Sequence, residues 1–305
     1  MDMKIGFIGL GIMGLPMAKN LVGAGHDLVV LDRSPQREQE LLDLGATRAA
    51  SAAEVAAQVE LVLTMVPDSP QVREVALGEG GIIEGARPGL LYADMSSIAP
   101  ATSREVEAAL AAQGVSMLDA PVSGGEPKAI DGTLSFMVGG DAETFAVVEP
   151  VLAAMGSSVV LVGPIGAGNI TKLANQVVVA LNIAAVSEAL VLAQKAGVDP
   201  EAVYRAIRGG LAGSTVMDAK APMMLQRRFD PGFRINLHIK DLRNALATSH
   251  DAQVPLPLTA AVFEMMMNLQ VQGVEAEDHS ALVKFYEALA GVEVRAGGTP
   301  EQDES

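Results

Sequence analysis

The residues best suited to chemistry sit in four short stretches of the chain. Gly9-Leu10-Gly11-Ile12-Met13-Gly14 is a GxGxxG turn between an apolar run and a helical one. In a dinucleotide site the first glycine permits the tight turn, the second lets the backbone approach a pyrophosphate, and the third allows close helix–strand packing. The helix start then offers N–H groups and a partial positive charge to the phosphates. Asp32 ends the next apolar run, where an acid can hydrogen-bond ribose hydroxyls and repel a 2′-phosphate. Arg33 beside it can accept that phosphate, so NAD is favoured and NADP stays open. Met65-Val66-Pro67 and Asp94-Met95-Ser96-Ser97 close later apolar runs. On one carboxyl edge of a sheet, Pro67 and the hydroxyls of Ser96 and Ser97 would line the nicotinamide side.

Two further stretches bear on a substrate. In Asp119-Ala120-Pro121-Val122-Ser123-Gly124-Gly125, the Ser123 hydroxyl stands beside the exposed N–H groups of Gly124 and Gly125, a cradle for a carboxylate. Taken alone, the segment reads better as a simple turn. Lys172 follows the glycine loop Gly166-Ala167-Gly168 and opens a long apolar helix expected over 169–196. A cation in a first helical turn opposes the macrodipole, which lowers an ammonium pKa toward a useful range if the site is also partly buried. Asn175 and Gln176, three and four residues on, share its helical face. The three side chains are expected to point into the junction between two domains. Lys240-Asp241 adds a cation that could hold an anionic substrate or the cofactor, though by itself the pair reads equally as a surface ion pair. His238 reads as a packing or capping histidine. A metal site has no support: cysteine is absent, and His26, His238, His250 and His279 never stand at metal-ligand spacing.

These residues need elements to hold them, and 305 residues are enough for about two domains. Half of the residues are hydrophobic but only 3 % aromatic, so the interior must be aliphatic and methionine-filled. Twenty-one cations against 37 acids give a net charge of −16, which repels nucleic acid and anionic lipid. An anionic substrate therefore requires local donors. Apolar runs at 4–9, 27–31, 61–65, 90–94, 117–119, 133–138 and 159–162 alternate with helical stretches, predicting a doubly wound, mostly parallel α/β Rossmann sheet over residues 1–162. Residues 163–294 read as an all-helical domain built on the 169–196 helix, and 295–305 as a disordered polar tail. The apolar stretch 177–192 contains Asn182, Ser187 and Glu188, and a central carboxylate costs about 2.5–3.5 kcal/mol on insertion into a membrane. A buried helix and a cytoplasmic protein are expected, since the first residues also show no secretory-type apolar segment.

Phe7–Leu21, Asp119–Gly125, Gly166–Gln176 and Lys240-Asp241, in that order, resemble the β-hydroxyacid dehydrogenases over about residues 3–294. Gly124–Leu134, Asp94–Pro100 and Ile207–Thr215 look most like the branch that reduces tartronate semialdehyde, with the 3-hydroxyisobutyrate, glyoxylate and succinic semialdehyde enzymes as alternatives. The resemblance implies a fold of the 6-phosphogluconate dehydrogenase type and a homo-oligomer, dimer or tetramer, formed through the helical domain. It further implies a small carboxylate-bearing aldehyde or hydroxy acid as substrate, and no metal. Lys172 matches the family's catalytic lysine, Ser123 and Gly124 its carboxylate-binding segment, Asn175 a substrate-positioning amide, and Ser97 and Lys240 cofactor-contacting positions. A non-catalytic dinucleotide-binding module is the rival from another class, and such a module has no reason to keep Lys172 beside Asn175.

Overall fold

Ile5–Ile8, Leu28–Leu31 and Leu61–Thr64 are apolar at successive positions rather than alternating, the pattern of strands covered on both faces. They become neighbours in the sheet of the first of two units, Met1–Lys172 and Leu173–Ser305, in a computed structural model that describes residues 3–297. The first unit runs β1 (Ile5–Ile8), α1 (Gly14–Gly23), β2 (Leu28–Leu31), α2 (Pro35–Leu42), β3 (Thr47–Arg48), α3 (Ala52–Gln58), β4 (Leu61–Thr64), α4 (Ser69–Leu77) and α5 (Ile82–Gly85). It continues through β5 (Leu91–Asp94), α6 (Pro100–Ala111), β6 (Ser116–Asp119), β7 (Val122–Ser123), α7 (Gly125–Ile130), β8 (Leu134–Gly139), α8 (Ala142–Ala153) and β9 (Gly156–Gly163).

The sheet order is β3-β2-β1-β4-β5-β6-β8-β7, with β9 also on β8. From β3 to β6 every pair is parallel, and β8 runs antiparallel to β6 and β7. The order reverses between β1 and β4, which opens a crevice at the carboxyl ends of those strands. One face of the sheet is covered by Met17, Leu21, Val148 and Leu152, the other by Val55, Val72, Ile82 and Val106.

α9 (Ala167–Lys195) begins in the first unit and carries into the second. There follow α10 (Pro200–Ile207), α11 (Thr215–Leu225), α12 (Ile235–Asp251), α13 (Pro257–Val271), a 3₁₀ turn at His279–Leu282 and α14 (Val283–Ala290). Ile183, Val186 and Leu190 of α9 pack in one cluster with Met217, Met224, Leu242 and Met266, an interior of aliphatic residues and methionine. By length and composition α9 could cross a membrane, yet half of its most apolar stretch is buried inside the protein.

Four details differ from the sequence reading. The Asp119–Gly125 segment is not a simple turn: Val122–Ser123 pairs with β8, and Gly125 starts α7. Within the all-helical stretch expected over 163–294, His279–Leu282 forms a 3₁₀ turn ahead of α14. Contacts divide the chain within α9, after Lys172, and not in the glycine loop near 163. Most of the expected tail, from 298 on, lies outside the described residues, while Arg295 N donates to Gln194 Oε1 at 3.2 Å and Gly297 N to Asp199 Oδ1 at 3.1 Å.

Candidate active site

The glycine turn is held from both sides by backbone. Gly9 has φ +96°, and its N–H donates to Leu31 O at 3.0 Å. A Cβ on Gly14 would run into the carbonyl oxygen of Gly9, so only glycine lets α1 start this close to β1. A Cβ on Gly11 would meet nothing within 4 Å, so that stretch of backbone borders open space. Met13 makes no side-chain cap hydrogen bond to the first turn of α1. Asp32 lies at the end of β2 with its carboxylate turned back onto the loop: Oδ2 accepts from Leu10 N at 2.7 Å, and Oδ1 from Ser34 N at 2.8 Å. Arg33 is exposed beside it, and Arg37 Nη1 stands 3.7 Å from Asp32 Oδ1.

Met65, Val66 and Pro67 leave β4, and Ser96 and Ser97 leave β5, on the same edge of the sheet as the glycine turn. The two serines are not equivalent. Ser96 is fully buried and accepts from Val66 N at 2.9 Å, tying the two strand ends together, while Ser97 is half-buried. Beneath them the Thr64 hydroxyl donates to Asp94 Oδ1 at 2.7 Å. The same hydroxyl lies 2.9 Å from Tyr92 OH, and burial pushes that phenol well above its ordinary pKa.

Ser123 is half-buried at the end of β7, next to Gly124 at φ +140°. A Cβ on Gly124 would lie 2.7 Å from Lys128 Cδ, so the stem of Lys128 passes over this glycine. Nothing in the spacing singled out Lys128, because the short helix that returns it was invisible. Lys172 is only 7 % exposed, in line with a side chain that points inward and not to solvent. It also stands in the second turn of α9, because the helix starts at Ala167 rather than Asn169. The macrodipole fades beyond the first turn, so burial rather than the helix end dominates its surroundings.

Further along α9, Asn175 Nδ2 donates to Gln176 Oε1 at 2.9 Å, and Gln176 Nε2 donates to Asp241 Oδ2 of α12 at 2.7 Å. Lys240 Nζ lies 3.2 Å from Asp241 Oδ1, with the two side chains 14 % and 1 % exposed; the pair is no surface pair. His238 is fully buried, its Nε2 3.1 Å from Gln176 O and its Nδ1 2.9 Å from His279 Nδ1. The carbonyl only accepts, so Nε2 of His238 donates to it. Among the described residues, no group of three or more potential ligands could hold a metal.

Residues 4–163 match the model of the NAD binding domain of 6-phosphogluconate dehydrogenase, and residues 166–286 match that of the NAD-binding domain of NADP-dependent 3-hydroxyisobutyrate dehydrogenase. The chain is 46 % identical to 2-hydroxy-3-oxopropionate reductase of Escherichia coli K12, over 94 % of this chain and 98 % of that protein. The chain belongs to the β-hydroxyacid dehydrogenase family. Another member, 3-hydroxyisobutyrate dehydrogenase of Pseudomonas aeruginosa, is 38 % identical over 92 % of this chain and 98 % of its own. A solved 3-hydroxyisobutyrate dehydrogenase of Mycobacterium tuberculosis, with L-serine, superposes with a TM-score of 0.87 at 33 % identity, covering 94 % of this chain and 99 % of that one.

This β-hydroxyacid dehydrogenase depends on NAD(P), and the residues present fit that cofactor. The open backbone at Gly11 and the uncapped start of α1 suit a pyrophosphate, and Asp32 stands at the end of β2, where a ribose would lie. The most consequential side chain that the sequence reading passed over is Asp119, the first residue of the Asp119–Gly125 segment. Its Oδ1 accepts from Gly166 N and its Oδ2 from Asn169 N, both at 2.7 Å, at the start of α9. Burial pushes its carboxyl up to about 6, against the opposing pull of those two backbone bonds. The Asp-then-glycine-loop pattern was the available signal, but nothing local says that the two segments meet.

Proposed function

We propose that this dehydrogenase reduces tartronate semialdehyde to glycerate with NADH, and that Lys172 is the proton donor. The observation that carries the reading is the burial of Lys172 on a helix whose first turn is tethered to the end of β6. An ammonium held away from water and beside Asn175 has a use in protonating an alkoxide, and costs stability without one. The 46 % identity to the Escherichia coli reductase supports this substrate over the other small semialdehydes.

Reduced nicotinamide supplies hydride to the aldehyde carbon. The Lys172 ammonium gives its proton to the aldehyde oxygen, so the C=O bond becomes a C–H and an O–H bond and the lysine is left neutral. The Ser123 hydroxyl and the N–H groups of Gly124 and Gly125 hold the substrate carboxylate. Asn175 orients the reacting oxygen, and Gln176 fixes Asn175 through the bond between their amides. Gly9 to Gly14, Met65 to Pro67, Ser97 and Lys240 hold the cofactor, and Asp32 favours NADH over NADPH. On this reading the enzyme is cytoplasmic and homo-oligomeric, with Val178 and Leu192 of α9, 57 % and 71 % exposed, as apolar surface for a second copy.

The test is kcat/KM, measured in parallel on tartronate semialdehyde, methylmalonate semialdehyde, glyoxylate and succinic semialdehyde with NADH and NADPH. Tartronate semialdehyde should lead. A lead for methylmalonate semialdehyde would move the enzyme to the 3-hydroxyisobutyrate branch with the same lysine chemistry. Ser123→Ala should raise KM for the acid by the loss of about 1–3 kcal/mol of buried hydrogen bonding; an unchanged KM would remove Ser123 from the site.

A further inference from the structure

Lys172 has no stake in the reaction unless its helix turn is held in place, and the molecule holds that turn in an unusual way. The start of α9 is capped from outside its own segment. Most helices take their N-cap from the residue just before them, but here the carboxylate comes from the end of β6. Asp119 is fully buried and spans the turn, accepting at Oδ1 from Gly166 N and at Oδ2 from Asn169 N. Asn169, also fully buried, carries the tie further: its Oδ1 accepts from Ile98 N at 3.0 Å, and its Nδ2 donates to Ser103 Oγ at 3.1 Å. The first turn of α9 is thus fastened to the end of β6, to the loop between β5 and α6, and to the start of α6. The approach is close enough to require glycine. A Cβ on Gly168 would run into the carbonyl oxygens of Asp119 and Met137, and one on Gly139 into Asp119 Oδ1 itself. Lys172 follows Asn169 by three residues, one turn on and on the same face.

We infer that Asp119 is a positioning residue: its carboxylate pins the first turn of α9, and through that turn it sets where the Lys172 ammonium stands. The inference rests on Lys172 being the proton donor. Only the ionised carboxylate presents two good acceptors to the two N–H groups; once protonated, its O–H oxygen is a poor one. With its carboxyl pushed up to about 6 by burial, that change falls in an accessible pH range. The charged groups on the elements around it are Asp94, in register on β5, Arg104, Glu105 and Glu107 of α6, of which Arg104 approaches Gly166, Glu143 and Glu149 of α8, and Lys172 of α9. Asp94 further discourages ionisation of Asp119.

The experiment compares Asp119→Asn, Lys172→Ala and the double variant with wild type, across pH 5 to 9, on whichever semialdehyde the wild-type enzyme turns over best. Asparagine keeps one acceptor and turns a donor toward the other N–H. A displacement of about 1 Å can cost on the order of 10²-fold, so kcat of Asp119→Asn should fall by that order while the NADH dissociation constant stays put. Wild-type kcat should fall below pH 6, and Asp119→Asn should lose that fall. In the Lys172→Ala background the second substitution should change nothing further. Additive losses, or a wild-type pH profile in Asp119→Asn, would overturn the inference and leave Lys172 as the donor. Should Asp119→Asn fail to fold, hydrogen exchange on wild type decides. Amides of residues 167–172, corrected for intrinsic rates, should lose protection as pH falls through about 6, and unchanged protection sinks the idea. If instead wild type reduces none of the four semialdehydes, the proposed function fails, while the exchange measurement still reports on the clamp.

Discussion

The glycine turn after β1 and the start of α9 face the same problem, placing a charged or polar group against a buried helix terminus, and solve it differently. At the glycine turn the work is done by backbone, within a few consecutive residues: Gly9 bends, Gly14 clears the carbonyl of Gly9, and the uncapped turn is left to a ligand. At α9 the terminus is closed by a side chain from far along the chain, Asp119 of β6, and by Asn169 of its own first turn, which is tied to Ile98 and Ser103. One end is built to receive an anion and the other already contains one. The difference teaches that a helix start becomes a ligand site only where the protein declines to cap it.

The sharpest way to break the comparison is to remove the group that the closed end positions. Lys172→Ala should lower kcat by about 10²–10⁴-fold, the usual worth of a positioned acid, with NADH binding unchanged by fluorescence titration. Near-normal turnover would return Lys172 to a packing role. The closed end should also leave a mark on stability. The carboxyl of Asp119 rises from 3.8 to about 6 on folding, so the folded protein binds the extra proton between those values. Global unfolding exposes Asp119 to water, unlike a local loosening of the turn around a carboxyl that stays buried. Stability against global unfolding from this group is therefore full below pH 4 and lost as pH rises through 6, a swing of about 3 kcal/mol at 1.36 kcal/mol per unit. Thermal melts should show wild type losing ground to Asp119→Asn as pH climbs from 4 to 7; parallel curves would contradict the raised value.

The open end answers to a subtler change. Gly14→Ala forces a Cβ against the carbonyl of Gly9, and overpacking of this kind costs about 1–3 kcal/mol. NADH affinity should drop by about 10- to 100-fold, while single-turnover chemistry at saturating cofactor stays near normal, the mirror image of Lys172→Ala. The smallest effect concerns Asp32. Its carboxylate accepts from Leu10 N; with its proposed role toward the ribose, Asp32→Ala should cut the NADH-to-NADPH ratio of kcat/KM by about tenfold, or 1.4 kcal/mol. A wild type that prefers NADPH would mean that Arg33 governs the choice.

Sequence alone was enough wherever the physics is local. The GxGxxG turn, the short apolar runs of β1, β2, β4 and β5 and the long helix carry their geometry in consecutive residues, because backbone sterics and hydrophobic periodicity act over a few positions. Two-residue β3 and β7 and the short α7 were not legible, since neither period has room to repeat. Lys172 and its inward-facing side were legible from its neighbours, but the true start of α9 at Ala167 places it outside the first turn, where the macrodipole would act on it. The same limit hid the roles of Asp119, Asn169 and Ser96. Each is an ordinary polar residue until the fold brings it within 3 Å of a backbone amide distant in sequence. A hydrogen bond of that kind has no spacing rule, because its partners are chosen by the register of β4, β5 and β6 and by the close packing at Gly139 and Gly168, and only the tertiary structure decides those.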